Sequence, residues 1–188
     1  MDSPLPSLIV RFYRDGEADV HGRTLLELQQ LNDWAFEMCH DHIQWLFPLH
    51  EESSYRECEV LTEGDVKQLR DSASAKANMS VSLVRFRQFL GLPSAPGEPF
   101  DQSKVSQWCT PYNHNLLRIT RVIRSARLFG LEAEALTFYA DVRSVAREDR
   151  VGGTTLRYWK KAAEDDPMSP LNNVVNQGPG GGGNCRQS

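Results

Sequence analysis

Apolar residues recur every three to four positions along most of this chain, which is the spacing of an amphipathic α-helix. The clearest apolar arc on a helical wheel holds Leu116, Ile119, Val122, Ile123 and Ala126. The same spacing predicts helices over about 24–38, 63–90, 103–109, 112–129, 131–147 and 154–164. No convincing pair of strands accompanies them. We therefore predict an all-α fold, a compact single-domain bundle of five to six helices.

Capping and breaking residues mark the ends of these helices. Thr24 and Thr62 are predicted N-caps, and the second has a carboxylate, Asp65, three residues later. Pro48 removes a backbone donor and ends the segment before it, while Gly130 has the position of a C′ glycine. The helix over 63–90 is predicted to be continuous, and its small-residue middle at 72–82 is expected either to bend or to approach another helix closely.

The two ends of the chain have different patterns. The apolar run 8–13 is predicted to be an extended N-terminal segment packed on the helices, after a disordered lead-in at 1–7. Residues 8–164 form the predicted domain. Residues 165–188 form a Gly-rich C-terminal tail that buries too little to offset its ordering entropy, so we predict that it is disordered.

Composition narrows the functional classes. The 188 residues are 40% hydrophobic with a formal net charge of -4, so nucleic-acid binding is disfavoured. No apolar run reaches the length of a membrane span, and no secretory signal is visible. The four cysteines are scattered, which favours free thiols. We predict a soluble intracellular domain, cytoplasmic or nuclear.

Two segments contain most of the residues with functional chemistry. The first is HDHIQWLFPL at residues 40–49, and the second is HNLLRITR at 114–121. We expect the first segment to lie against the helix that the second one opens, with any site between them. The candidate ligand-binding residues are His40, Gln44, Trp45, His114, Asn115, Arg118 and Arg121.

The cationic strip of the second segment needs a counter-charge. His114, Arg118 and Arg121 are spaced i, i+4 and i+7, so they line one border of the helix. A ligand carboxylate or phosphate would satisfy the guanidiniums. The alternative is a structural network with internal carboxylates, for which the candidates are Glu37, Asp41 and Glu63. Arg124 and Arg127 are predicted to form a solvated face.

The remaining candidates each have a structural interpretation as well. Trp45 is predicted to be core or the wall of a pocket, and Gln44 would offer an amide to a ligand. Asn115 falls within the apolar arc and needs partners, so we expect its amide to hydrogen-bond to backbone elsewhere in the fold. His40 and His42 have the spacing of a two-histidine metal site on a strand, but no third ligand is evident, so we expect no metal and no cofactor.

The two segments resemble the hallmarks of the opioid growth factor receptor family. Residues 43–49 preceded by His40 are similar to its first conserved block, and His114-Asn115 followed by 117–121 to its second. Residues 11–13 and 61–62 fit in the same order, so the resemblance covers about 8–163. It implies receptor activity towards an enkephalin-type peptide and an association with the nuclear envelope that needs no transmembrane span.

Three functions remain open at this stage. The first is a domain that binds a peptide or small anionic ligand between the two segments. The second is a cofactor-independent biosynthetic enzyme, a small-molecule cyclase or isomerase, with His40 and His114 as acid and base. The third is a scaffold in which the segments only pack together. No common catalytic or nucleotide-binding motif is present, which weighs against the enzyme.

Overall fold

The structure is all-α, as the periodicity predicts. A computed structural model of the protein describes residues 5–52, 58–95 and 97–170, and these contain eleven helices and no strand. The helices are α1 (Leu8–Arg14), α2 (Leu25–Gln29), α3 (Asp33–Met38), α4 (His42–Leu46), α5 (Glu63–Asp71), α6 (Ala73–Leu90), α7 (Gln102–Trp108), α8 (Asn115–Leu128), α9 (Glu132–Val145), α10 (Glu148–Val151) and α11 (Gly153–Glu164). The predicted disorder of the tail falls largely on 171–188, outside the described residues.

The prediction of an extended N-terminal segment is wrong, because residues 8–14 form helix α1. The Ser7 hydroxyl accepts a hydrogen bond from the Val10 amide at 3.4 Å and caps the helix. Its apolar side chains are buried against α5 and α6. A lone extended segment in this core would leave its backbone amides and carbonyls without partners, whereas a helix satisfies them internally.

Two predicted long helices are each divided in the structure. Thr24 caps α2 in a capping box with Glu27, as predicted, but Asn32 then caps a separate helix, α3. The 63–90 helix is interrupted at Ser72, whose hydroxyl accepts from the Ala75 amide at 3.2 Å. In both cases a short polar side chain inside the apolar pattern ends one helix and caps the next.

The other predicted boundaries agree with the structure. Thr62 and Asp65 form a capping box at the start of α5. Gly130 follows α8 with a left-handed φ of 80°, a backbone conformation that costs a glycine little. The helix predicted to end near Glu164 does so, and the additional short helix α10 precedes it.

Helix α8 lies at the centre of the packing. It contacts α9, α11 and α6, and most of its fourteen residues are buried. Large aromatic side chains from six helices or their ends fill the core around it, namely Phe12, Trp45, Phe86, Phe129, Phe138 and Trp159. Within the described residues, no helix is long and apolar enough to cross a membrane.

Candidate functional site

The first hallmark segment lies against α8, so the two segments are brought together. Arg121 donates from Nη1 to the carbonyl of Phe47 at 2.9 Å, and the Ser125 hydroxyl donates to the carbonyl of Pro48 at 2.9 Å. The segment itself is helical over His42–Leu46 and turns at Phe47. Side chains of α8 therefore bind the backbone with which the segment ends.

Arg118 is directed into the protein and caps the end of α3. Its side chain is only 8% exposed. Nη1 donates to the carbonyl of Phe36 at 3.2 Å, and Nη2 donates to the carbonyl of Cys39 at 3.3 Å. These are carbonyls that the last turn of a helix leaves without an intrahelical partner. The guanidinium thus fills a structural role, whatever else it contacts.

Glu37 is the internal carboxylate that meets the cationic strip. Its Oε1 lies 3.2 Å from His114 Nε2, and its Oε2 accepts from Asn115 Nδ2 at 3.2 Å and lies 3.8 Å from Arg118 Nη1. The buried Asn115 amide is satisfied by side chains and not by the backbone groups predicted for it, since its Oδ1 also accepts from Arg118 at 3.1 Å. Asp41, another carboxylate predicted as a partner of the strip, forms an ion pair with Arg23 at 2.7 Å.

Arg121, the third member of the strip, is itself perturbed by its surroundings. Burial lowers the pKa of its guanidinium to about 10. The nearby cation of Arg124 adds to this lowering, while Cys58 and Glu51 oppose it. The charge of Arg121 is therefore held in a dry environment, next to the carbonyl of Phe47.

The predicted solvated face at Arg124 and Arg127 is wrong, because both side chains are buried. Arg124 pairs with Glu51 at 2.8 Å and donates to the carbonyls of Pro167 and Ser169. Arg127 pairs with Glu132 and donates to the carbonyl of Ala162 at 2.8 Å. The helical wheel gives the direction of these side chains correctly, but other elements cover that side of α8.

The imidazoles of His40 and His114 meet at the surface. Their ring centroids are 5.7 Å apart with the planes 26° from parallel. His40 Nδ1 lies 2.8 Å from the carbonyl of Met38. Partial burial, and then Arg118, lower the pKa of His114, while Glu37 opposes the shift. The pair has the composition of an acid/base couple, but it is exposed to water on the described surface.

His42 diverges from His40 and enters the core. Its ring stacks edge-on against Phe36, with centroids 4.5 Å apart. Neither ring nitrogen has a hydrogen-bond partner of normal geometry among the described residues. Burial, followed by the positive charge of Arg118, lowers the pKa of His42 to about 3, so the ring is neutral near pH 7. The two histidines therefore do not share a face.

The remaining predicted site residues belong to the core. Trp45 is 1% exposed and packs on Phe12, with ring centroids 5.3 Å apart. Gln44 is also buried, and its backbone carbonyl accepts from the Cys58 thiol at 3.3 Å. Both side chains are therefore withdrawn from the surface on which His40 and His114 meet.

Two depressions flank the N-terminal end of α8. The first has a volume of about 360 Å³, and the residues that line it include Trp34, Glu37, Phe89, Lys104 and Asn115. The second has a volume of about 670 Å³, and its lining includes Tyr112, His114, Leu117, Val151 and Thr154. The exposed rim between the hallmark segments is thus bordered on both sides by concave surface.

Sequence reasoning missed the large apolar side chains of these depressions. Trp34 is 73% exposed, Leu117 is 76% exposed and Tyr112 is fully exposed. Tyr112 also has a φ of 60°, which is uncommon for a residue other than glycine. Leu117 carried a signal in the sequence, because it lies off the apolar arc of its helix and is nevertheless a leucine.

The family model of the opioid growth factor receptor conserved region matches residues 10–162. The matched range contains both hallmark segments and covers most of the 188 residues. The resemblance predicted from those segments is confirmed. No curated protein and no solved structure matches the chain.

Proposed function

This chain belongs to the opioid growth factor receptor family, and we propose that it is a binding domain that takes a peptide across the N-terminal end of α8. The observation that carries the proposal is the group of exposed apolar side chains around the His40–His114 pair. Trp34 lies in one flanking depression, and Tyr112 and Leu117 lie in the other. Exposed aromatic and apolar side chains at concave surfaces are typical anchors for a partner.

The proposed site has a surface layer and a supporting layer. His40, His114 and the edge of Asn115 would contact the peptide, with Trp34 and Leu117 on either side. The other predicted residues would support this rim from within the fold. These are the buried Gln44, Trp45 and Arg118 and the half-buried Arg121.

The hydrogen-bonding groups at the rim suit a peptide better than a strongly anionic small molecule. Arg118 and Arg121 already donate to backbone carbonyls, so their charge is engaged inside the protein. The Lys104 ammonium forms an ion pair with the Asp33 carboxylate, with 2.7 Å between Nζ and Oδ2. The His40 and His114 rings direct one N–H each at internal acceptors, the Met38 carbonyl and the Glu37 carboxylate. The other nitrogen of a neutral imidazole is an acceptor, so His114 Nδ1 can accept from a peptide backbone N–H, and no free guanidinium is required.

A second candidate function rests on the Glu37–His114 contact of 3.2 Å. A carboxylate that orients an imidazole, with a second imidazole stacked on it, is an arrangement used for general acid/base catalysis. It would suit the cofactor-independent cyclase or isomerase predicted as the alternative. Exposure of the pair to water favours binding over catalysis, since reactive intermediates need water excluded.

The free cysteines of the described residues, Cys39, Cys58 and Cys109, support an intracellular location, cytoplasmic or nuclear. Membership of the family adds peripheral association with the nuclear envelope to that proposal. Fractionation of the native host, followed by detection of the chain in each fraction, tests it. Recovery only in an oxidising compartment or outside the cell would contradict it.

Selection of peptides from a random 12-residue display library on the full chain tests the binding site. Trp34→Ala should weaken the binding of a selected peptide by about tenfold or more, because it removes an exposed anchor. The matched control is Val81→Ala, which truncates an exposed apolar side chain on α6 away from both depressions. Calorimetry with both variants gives the two dissociation constants.

Three results would overturn the proposal. One is a library that yields no saturable binder. Another is a selected peptide whose affinity is the same for the wild type and Trp34→Ala. The third is a turnover assay in which His114→Ala abolishes a reaction while leaving peptide affinity unchanged, which would favour the enzyme.

A further inference from the structure

A third depression, the α6–α9 cleft, lies between α6, α9 and the connector that follows α6. Its volume is about 670 Å³, within the range of small-ligand sites. The residues that define it here are Val84 and Arg87 of α6, Phe100 of the connector, and Glu134 and Asp141 of α9. We propose that the α6–α9 cleft binds a ligand in which a cationic amine is attached to an apolar body.

The apolar part of such a ligand has a wall to contact. Val84 is 39% exposed, which leaves part of its side chain available inside the cleft. Leu83, Pro93 and Phe100 continue that wall. On the opposite side, Ala133 stands one turn before Thr137 on the same face of α9 and adds little bulk. The cleft is therefore lined by apolar groups on the α6 side and is open at the middle.

Internal bonds brace the cleft without filling it. The Arg87 guanidinium donates to the Pro93 carbonyl, 2.8 Å from Nε, and also binds Asp141. This links α6, the connector and α9 through one side chain. The Glu98 carboxylate accepts from the Ser94 amide at 2.8 Å and so closes a turn of the connector. A site formed in advance loses less free energy to ordering when a ligand binds.

The charges of the cleft favour a cation. Three carboxylates, those of Glu98, Glu134 and Asp141, stand against the single guanidinium of Arg87. Asp141 neutralises Arg87, and Glu98 is occupied by connector amides. Glu134 is exposed, and no hydrogen bond or ion pair joins its side chain to any residue that the structure describes. It is therefore the group to which an incoming ammonium would bind.

The same charges exclude the other ligand classes of this size. A carboxylate or phosphate would face a net negative lining, with the one guanidinium already paired. A purely apolar molecule would leave the Glu134 carboxylate partly desolvated and unpaired. This site is separate from the peptide site proposed at α8, so either proposal can fail without the other.

The probe for this proposal is 4-phenylbutylamine, with 4-phenylbutyrate as its charge-reversed counterpart. We expect the amine to shift the backbone amide resonances of 80–87 and 133–141 in the labelled full chain, with a dissociation constant of about 1 mM or tighter. The carboxylate should bind at least about tenfold more weakly, because it reverses the charge that faces Glu134.

Two variants locate the contacts. Glu134→Gln should weaken the binding of the amine by about tenfold, whereas Glu63→Gln should not change it. Glu63 is a matched control, because each carboxylate lies in the first turn of its helix. Val84→Arg should block the cleft, while Val81→Arg on the same helix should not.

Several outcomes would overturn the proposal. They are equal affinity for the amine and the carboxylate, an unchanged dissociation constant in Glu134→Gln, and the absence of saturable shifts at 80–87 and 133–141 up to about 10 mM amine. Glu134 is exposed, so Glu134→Gln is expected to fold, and its melting temperature checks this directly.

Discussion

His42 is a buried imidazole with the packing of an aromatic core residue. It contacts Phe36 edge-on, and its two nitrogens have no hydrogen-bond partner of normal geometry among the described residues. An unpaired polar group inside a core costs free energy that an apolar ring of the same shape would not.

Replacing His42 with Phe should make the protein less sensitive to acid. The folded-state pKa of about 3 lies below the ordinary value of 6.5, so below pH 6.5 the unfolded chain binds a proton that the folded chain excludes. The wild type should lose stability from pH 6.5 downward, by about 2 kcal/mol at pH 5 from this residue alone. His42→Phe should not show that loss.

Urea unfolding at pH 7.5 and pH 5.0 measures this effect in both proteins. For each protein we take the change in the free energy of unfolding between the two pH values. Subtracting the change in His42→Phe from the change in the wild type removes the contribution of the other histidines, whose environments are the same in both. If the free energy of unfolding changes equally with pH in the wild type and in His42→Phe, then the ring is hydrated or paired and its pKa is not set by burial.

Residue-level predictions from the sequence succeeded where a residue's own helix decided the outcome. The wheel put Asn115 inside the apolar arc, and the structure buries its amide with partners. The same wheel turned Arg124 and Arg127 outward, where the 165–169 segment and α11 cover them. Periodicity gives the direction of a side chain relative to its axis, but not what packs on that side.

At the scale of elements, α8 supplies donors to the ends of its neighbours. Arg118 caps the end of α3, Arg121 binds the end of α4, and Arg127 caps the end of α11. Each of these helices is short or ends inside the protein, where water cannot satisfy its last carbonyls. A guanidinium suits this role because it carries several donors in a fixed planar fork.

Arg127→Ala should destabilise the protein strongly although it removes a residue with no proposed part in binding. The change leaves the buried carbonyl of Ala162 and the partly buried carbonyl of Asp165 without their donor. We expect a loss of about 2–3 kcal/mol in the free energy of unfolding, measured by urea denaturation at pH 7.5.

The control for Arg127→Ala is Arg143→Ala, an exposed arginine in the last turn of α9. It should change the free energy of unfolding by less than about 0.5 kcal/mol. Similar small losses in both variants would mean that solvent replaces the guanidinium at the end of α11, and that α8 does not hold that helix.

For the whole molecule, the sequence predicted the fold class but undercounted the helices. Apolar periodicity runs on through Asn32 and Ser72, so 24–38 and 63–90 each look like one helix. In the structure both side chains cap a new helix, and the chain turns there to stay on a shared core. Tertiary packing decides whether a short polar residue ends a helix or lies on the surface of a continuous one. The spacing of apolar residues carries no information about that packing.

Apolar periodicity is also an incomplete guide to the proposed peptide site. The two hallmark segments were located correctly because their apolar residues are dense and specific, and they do lie together. Trp34 and Tyr112 were missed because they come from the ends of other elements, on α3 and in the α7–α8 loop. A concave surface built from three distant stretches has no signature within any one of them.

The C-terminal segment begins with residues whose carbonyls the fold uses and continues into a Gly-rich sequence. Asp165, Pro167 and Ser169 offer their carbonyls to the buried arginines of α8. Residues 171–188 are rich in glycine and have few side chains to bury. Deleting 171–188 should therefore change the free energy of unfolding by less than about 0.5 kcal/mol, whereas deleting 165–188 should lower it by about 1–2 kcal/mol.

Urea denaturation of the two truncated chains and of the full chain measures these changes in the free energy of unfolding. The larger deletion takes the acceptors of Arg124 and exposes the end of α11 to solvent, so its effect belongs to α8 and the segment together. An equal loss in both truncations would place stabilising contacts within 171–188. In that case glycine content alone is a poor guide to which part of this chain contributes to its fold.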